Sequence, residues 1–508
     1  MNRLGIQKYT KTKILFCINH RLSNIYDYNF NLIQRLEQKT ILLIFVIIYM
    51  VVTILVGYWS SRFVKNTSDF VVAGRRMPLI VVASGLFATW FGSETVMGAS
   101  TAFLDEGVMG IIEDPFGAAL CLFLIGIFMA RPLYRLNLFT FSDYFKQRFG
   151  AKAEFLSAVM MIPSYWGWIA AQLIALATIL NVLTGFPIFL CVIICAAIVM
   201  FYTYIGGMWA VSITDFIQTI MIVCGMFFVM LEAIGQVGGV DVLLAHARAE
   251  PETFRVLPHG NFKDIVAYIA AWMVVGLGSV PQQDVFMRVM SAKSEQTAVR
   301  GAYLSGFMYL TVALMPIVMA YCGKILYPNL LQGDSETRQM LIPHMVMQHS
   351  SLVMQVIFFG ALLSAIMSTA SGAILAPATV IGENIVKPLM PELTDKQLLY
   401  VMRLGVVFIT IMSVLFASLG KSIYELVRQS SEISLVSLFV PLVAGLYWKR
   451  ATGWGAVGSM LMGMVIWLAA TFNSTSYPAI IYGVLGSIGG LILFSFLEIK
   501  LKKSGLNS

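Results

Sequence analysis

Ser364, Ser368 and Gly372 fall at i, i+4 and i+8 of one apolar run, with Thr369 and Ser371 beside them. On a helix that spacing makes a single face. Hydroxyls on such a face can replace water around a hard cation, which prefers oxygen ligands. Each hydroxyl could instead bond the carbonyl one turn back, the ordinary use of Ser and Thr inside a helix. A second oxygen source lies far upstream in ATWFGSETVMGAS, Ala88 to Ser100. Gly, Ser and Thr cluster there within an apolar stretch, and unwound carbonyls could complete an ion's shell.

Glu94, Glu113, Asp114 and Asp284 are among the acids that sit in or beside apolar runs. A carboxylate at the centre of a bilayer costs roughly 2.5–3.5 kcal/mol on insertion scales, so it needs a partner or a task. Arg288 is the one basic residue nearby, and the pattern sets it at the inner edge of its span. Uncompensated acids favour a cationic or amine-bearing solute, or a proton-titrating site. The plainer alternative is a carboxylate that is hydrogen-bonded, protonated or sodium-paired. Trp166, Trp168 and Trp272 could line a pocket, although packing is the commoner use of such side chains.

No nucleophile–base arrangement or metal motif is present, so the reading is not that of an enzyme. Cys17, Cys121, Cys191, Cys195, Cys224 and Cys322 form no CxxC pair, and most lie in apolar runs, as small buried hydrophobes do. His246, His259, His344 and His349 are scattered without zinc or haem spacing. No cofactor is expected.

The elements that would position these residues are membrane spans. The chain has 508 residues, 58% hydrophobic and 12% charged, against about 25% charged in a soluble domain. Mean hydropathy is +0.81. By the measure of about 20 apolar residues per crossing, about thirteen spans can be marked. They begin with 41–58, 78–102 and 111–133, and end with 431–448, 454–472 and 478–498. The net charge of +8 comes from basic residues between apolar runs, which argues for lipid headgroups and orientation rather than nucleic acid. Sorting the connections alternately puts twenty basic residues on one side, from Arg62 to Lys503. The other side receives seven: Arg248, Arg255, Lys263, Lys324, Arg338, Lys421 and Arg428. That bias places the C-terminus in the cytoplasm of a bacterial-type inner membrane, as a multi-pass protein. An odd number of spans then sets the basic N-terminal tail on the outside, which is unexpected.

Backbone polar groups in a bilayer must be satisfied internally, so Gly/Pro/polar clusters at membrane depth need a reason. Ala88–Ser100 interrupts the second span, and VGLGSVPQQDVFMR, Val275 to Arg288, interrupts the seventh. Paired breaks at matching places in two halves point to a transporter with inverted repeats. Close helix packing through small residues is the alternative. The expected organisation is a tail over 1–38, a first helix and loop over 39–75, and a five-helix repeat over 76–234. An outer loop over 235–261, a second repeat over 262–449 and C-terminal helices over 450–508 follow.

Several motifs resemble the sodium:solute symporter family, over about Asp69 to Glu498. DFVVAGRRMP follows the first span, and GGMWAVSITDFIQ, Gly206 to Gln218, resembles the family's most specific signature. FSDYFKQRFG and FMRVMSAKS resemble its cytoplasmic loop motifs. ATWFGSETVMG with DPFGAALCLFLIGIFMARP looks closest to the high-affinity choline transporter branch. The resemblance implies an all-α, leucine-transporter-type fold with solute and sodium near the midplane. It implies a sodium site on the carbonyls of Ala88, Phe91 and Ala365 and the hydroxyls of Ser368 and Thr369. The family's TDxxQ aspartate falls on Asp215, near the cytoplasmic end of its span, where it would assist sodium release.

For the solute, Glu94 aligns with a pocket glutamate of the galactose branch and Gln282 with a pocket asparagine there. Gln283 resembles a glutamine of the choline branch. That branch has small or aromatic residues where this chain has Glu94, Thr95 and Gln282, and of its aromatic cage Trp90 is retained. Asp114 and Asp284 complete the expected pocket. The function expected is sodium-coupled symport of a small organic solute in a lipid bilayer, by alternating access. The alternatives are a proton-coupled transporter of a cationic or amine-bearing solute, a channel or a membrane sensor.

Overall fold

The computed structural model describes residues 38–258, 260–329, 338–418, 423–473 and 475–503. All but the last residue of the expected tail, together with His259 and Lys421, lies outside them. The described chain is helical apart from connections and one isolated bridge between Met77 and Ala292.

Helix α1, Leu79–Trp90, is apolar through LIVVASGLFATW and stops where the sequence turns to Gly and Ser. Phe91 leaves helical geometry at φ −75°, ψ 76°, and the Gly92 N–H donates to the Trp90 carbonyl at 2.8 Å. The chain resumes through a π-turn over Glu94–Gly98 into α2, Ala99–Glu106. This is the first expected break.

Helix α3 covers Ala151–Thr184 and α4 covers Ile188–Val237. The second break separates α5, Phe262–Gly278, from α6, Gln283–Ser291, with a bend of 48°. Pro281 lies between them, without the N–H that would continue the ladder. Helix α7, Leu352–Val380, is apolar almost all round, and every residue from Phe358 through Val380 is buried. A helix of that kind belongs at the centre. It packs against α3 and α4, with α1 alongside. Helix α8, Ile423–Ser434, is instead strongly two-faced and rests on α3 and α5.

Ten helices are long and apolar enough to cross a membrane, or eleven if the bent pair is one span, among the described residues. The sequence suggested about thirteen. The difference lies in uninterrupted lengths. The 50 residues of α4 would extend ~75 Å if straight, more than twice the hydrocarbon thickness. It breaks at Gly207, where φ is +50° and a side chain would run into Phe70. The apolar stretch Glu94–Arg135 likewise turns at Gly107, with φ +66°. Leu79–Trp90 alone falls below spanning length.

Candidate functional site

The break after α1 faces the middle of α7. Thr369 Oγ1 donates to the Ala88 carbonyl at 3.0 Å and also reaches the Ala365 carbonyl at 3.2 Å. Ala88, Phe91, Ala365, Ser368 and Thr369 are all buried to 1% exposure or less. The hydroxyl stripe and the unwound segment therefore meet. Ser368 points elsewhere: its Oγ donates to Asp215 Oδ1. Ser364 turns to the Tyr49 hydroxyl at 2.9 Å, and Ser371 back-bonds to the Ser368 carbonyl at 3.0 Å. Within the stripe, Thr369 is the hydroxyl directed at the break.

Asp215 sits in a charged knot. Arg288 Nη2 lies 3.1 Å from Asp215 Oδ2, and its Nη1 lies 3.8 Å from Asp284 Oδ2. The Tyr165 hydroxyl donates to Asp284 Oδ1 at 2.6 Å. Arg288, expected at the inner edge, is 2% exposed and is shared by both acids. It fits because α7 has Gly372 there, where a Cβ would strike the guanidinium. Asp284 is therefore an ion-paired group of this knot and does not line the cavity beyond the break. Gln283 also lies apart: its amide accepts from the Phe141 N–H and donates to the Phe139 carbonyl, both at 2.9 Å. It holds the loop before Phe141.

A tight cavity lies on the other side of the break. Trp90, Glu94, Asp114 and Gln282, all singled out from sequence, line it. Thr95 stands just behind, donating to Asp114 Oδ2 at 2.8 Å, while the Tyr309 hydroxyl donates to Asp114 Oδ1 at 2.6 Å. Glu94 takes Trp168 Nε1 at 3.0 Å on one oxygen and Gln172 Nε2 at 2.7 Å on the other. Arg428 is 3.6 Å from Glu113 and 3.0 Å from Glu432. Among the described residues Glu94 and Asp114 thus carry hydrogen-bond donors but no ion-pair partner. Three buried polar atoms on the wall, Trp90 Nε1, Glu113 Oε2 and Gln282 Oε1, have no hydrogen-bond partner among the described residues.

The sequence reading missed Gln172 and Tyr309, and set Arg428 among outer-loop charges. Trp168 was weighed as packing and lines the cavity; Trp272 packs on Phe116 and Tyr268, and Trp166 on Phe416. Tyr424, Arg428 and Ser431 reach the cavity from α8. The period of that helix was the available signal, since IYELVRQSSEIS places Tyr424, Arg428 and Ser431 on neighbouring turns.

A model of the sodium:solute symporter family matches residues 70–463. A high-affinity choline transporter from Caenorhabditis elegans is 25% identical over 503 residues, covering 91% of this chain and 86% of its own. A high-affinity proline transporter from Bacillus subtilis is 24% identical, covering 84% and 92%. Among solved structures, a Na+-coupled sialic acid symporter superposes with a TM-score of 0.78 at 20% identity, over 90% of this chain and 96% of that one. The resemblance read from the motifs and the leucine-transporter-type fold are both borne out.

Proposed function

Because the chain belongs to the sodium:solute symporter family, we propose that sodium binds where α7 meets the break after α1, and that a small amine-bearing solute binds in the adjoining cavity. One observation carries this reading: Thr369 and Ala88 bring a hydroxyl and a carbonyl of the last turn before the break within 3.0 Å in the buried interior. Sodium would be held by the carbonyls of Ala88, Phe91 and Ala365 with Thr369, and Ser368 would join when it releases Asp215. An ion there ties the broken helix to α7 and stabilises one shape of the cavity. Rocking of the helices about this contact exposes the two ligands to either side in turn.

The cavity wall supports the solute class. Glu94, Glu113 and Asp114 face it against the single guanidinium of Arg428, with Trp90, Trp168 and Tyr424 alongside. Acids and aromatic faces suit an ammonium group. The free acceptors of Gln282 and Glu113 suit one that still bears N–H donors. The charge bias of the connections supports a cytoplasmic C-terminus in a bacterial-type inner membrane.

The test is uptake into proteoliposomes under an imposed sodium gradient, after a thermal-shift screen of amines, amino acids, sugars and carboxylates with and without sodium. Sodium-dependent stabilisation by amines is the expected result. Uptake driven by a pH gradient in the absence of sodium would overturn the coupling ion.

A further inference from the structure

Glu94 turns one carboxylate oxygen toward Trp168 in the solute cavity and the other toward Gln172, beside Gly92. A Cβ at Gly92 would stand 2.6 Å from Glu94 Oε2, 2.7 Å from Gln172 Oε1 and 2.8 Å from Thr369 Oγ1. Three oxygens from three parts of the chain thus converge over one glycine. A point one bond length from the Gly92 Cα cannot itself hold an ion. Oxygens gathered this closely can share a dehydrated monovalent cation set further off the backbone, since such ions take oxygen ligands. The carbonyls of Ala88 and Ala365 lie 3.0 and 3.2 Å from the same Thr369 hydroxyl, which extends the cluster.

We infer that Glu94 and Gln172 are ligands of the ion site, and that the Glu94 carboxylate is shared between the ion and the solute. This rests on the sodium-coupled reading above and adds to its ligand set.

Charge supports the assignment. Asp215 is already engaged by the Arg288 guanidinium and by the Ser368 hydroxyl, so its oxygens are not turned to an ion near Thr369. Glu94 is 3% exposed and is met by neutral donors, Trp168 and Gln172. A carboxylate so enclosed is strongly disfavoured without a counter-charge. Sodium beside Gly92 supplies one from the ion side, and an ammonium solute supplies another from the cavity. Gln172 makes the arrangement rigid, because its amide nitrogen holds Glu94 while its oxygen accepts from the Ser93 N–H at 3.0 Å. The break and the carboxylate are thereby tied to α3. With one anion shared, each ligand fixes the orientation that the other requires, and their affinities are linked reciprocally.

The purified full chain in detergent is titrated with sodium chloride against potassium chloride at constant ionic strength, reading thermal stability. The variants are Glu94→Gln, Glu94→Asp, Gln172→Leu, Gly92→Ala and Thr369→Ala. Glu94→Gln, Gln172→Leu and Gly92→Ala should each raise half-saturating sodium about tenfold or more, whereas Glu94→Asp should keep most of the wild-type response. Stability in potassium and monodispersity identify any variant that fails to fold, and the others then decide. If Thr369→Ala weakens sodium binding while Glu94→Gln and Gln172→Leu stay within twofold of wild type, the sodium site stands and this assignment falls. If wild type shows no preference for sodium over potassium, both readings fall together.

Discussion

The Thr369 hydroxyl lies 3.0 Å from the carbonyl oxygen of Ala88, across 281 positions of sequence. Neither partner is on a loop: one is in the buried middle of α7, the other two residues before α1 ends. The hydrogen bond satisfies a carbonyl near a helix end, and it sets a hydroxyl beside the proposed ion position. Thr369→Ala removes the oxygen, and Thr369→Ser retains it. Half-saturating sodium for uptake should rise about tenfold in the alanine variant, equivalent to roughly 1.4 kcal/mol, at the upper end of the net worth of a single hydrogen bond. The serine variant should lie close to wild type. Equal sodium dependence in all three proteins would dismiss Thr369 as a ligand.

Tyr424 and Arg428 cover the cavity from α8, and Arg428 links to Glu113, the neighbour of Asp114. If this side opens to admit solute, residue 424 must become accessible. In a background without other cysteines, Tyr424→Cys should react with a polar thiol reagent in potassium. Sodium together with a transported amine should slow that reaction severalfold. A rate indifferent to both ligands would place the route elsewhere.

Both helix breaks were legible, because Gly, Pro and polar residues at membrane depth contradict an otherwise apolar pattern. The family was legible in short motifs such as GGMWAVSITDFIQ. Side-chain direction within those segments was not. Ser368 and Thr369 are neighbours in sequence but about 100° apart around the helix, so one meets Asp215 and the other Ala88. Gln282 and Gln283 divide similarly at the start of α6, one to the cavity and one to the 139–141 backbone. Arg288 reads as an interfacial cation by position; its burial depends on two acids and a glycine contributed by other helices or turns. Gln172 offered no signal, since a single amide in an apolar helix looks like any packed polar residue.

An outer contact gives a pH effect of known sign. Glu250, in the connection after α4, pairs with Lys324 at 2.6 Å, and the Lys324 ammonium holds its carboxyl below the usual range. A depressed folded value contributes stability above the unfolded value, and that contribution disappears as pH falls through the folded one. Both side chains are partly exposed, so the pair is worth at most about 1 kcal/mol. Glu250→Gln should lower the melting temperature slightly at pH 7, with the difference from wild type vanishing in acid below the usual glutamate range. Melting curves of the two proteins across that pH span check this. A difference that grows on acidification would contradict the pairing.

The Arg288 knot gives the largest expected change in stability. Arg288→Met would leave Asp215 and Asp284 enclosed without a counter-charge, at exposures of 0% and 1%. Removing one partner of a buried pair costs about 3–5 kcal/mol, because the remaining charge is stranded. Replacing charge and partners together is far milder, so Arg288→Met combined with Asp215→Asn and Asp284→Asn should recover much of the lost stability. Lysine is a poor substitute, since one ammonium cannot reach both carboxylates as the forked guanidinium does. Thermal melts of the single, triple and lysine variants measure the non-additivity directly. If the triple variant is as unstable as Arg288→Met, stranded charge is not the cause, and the guanidinium acts instead by filling the space beside Gly372.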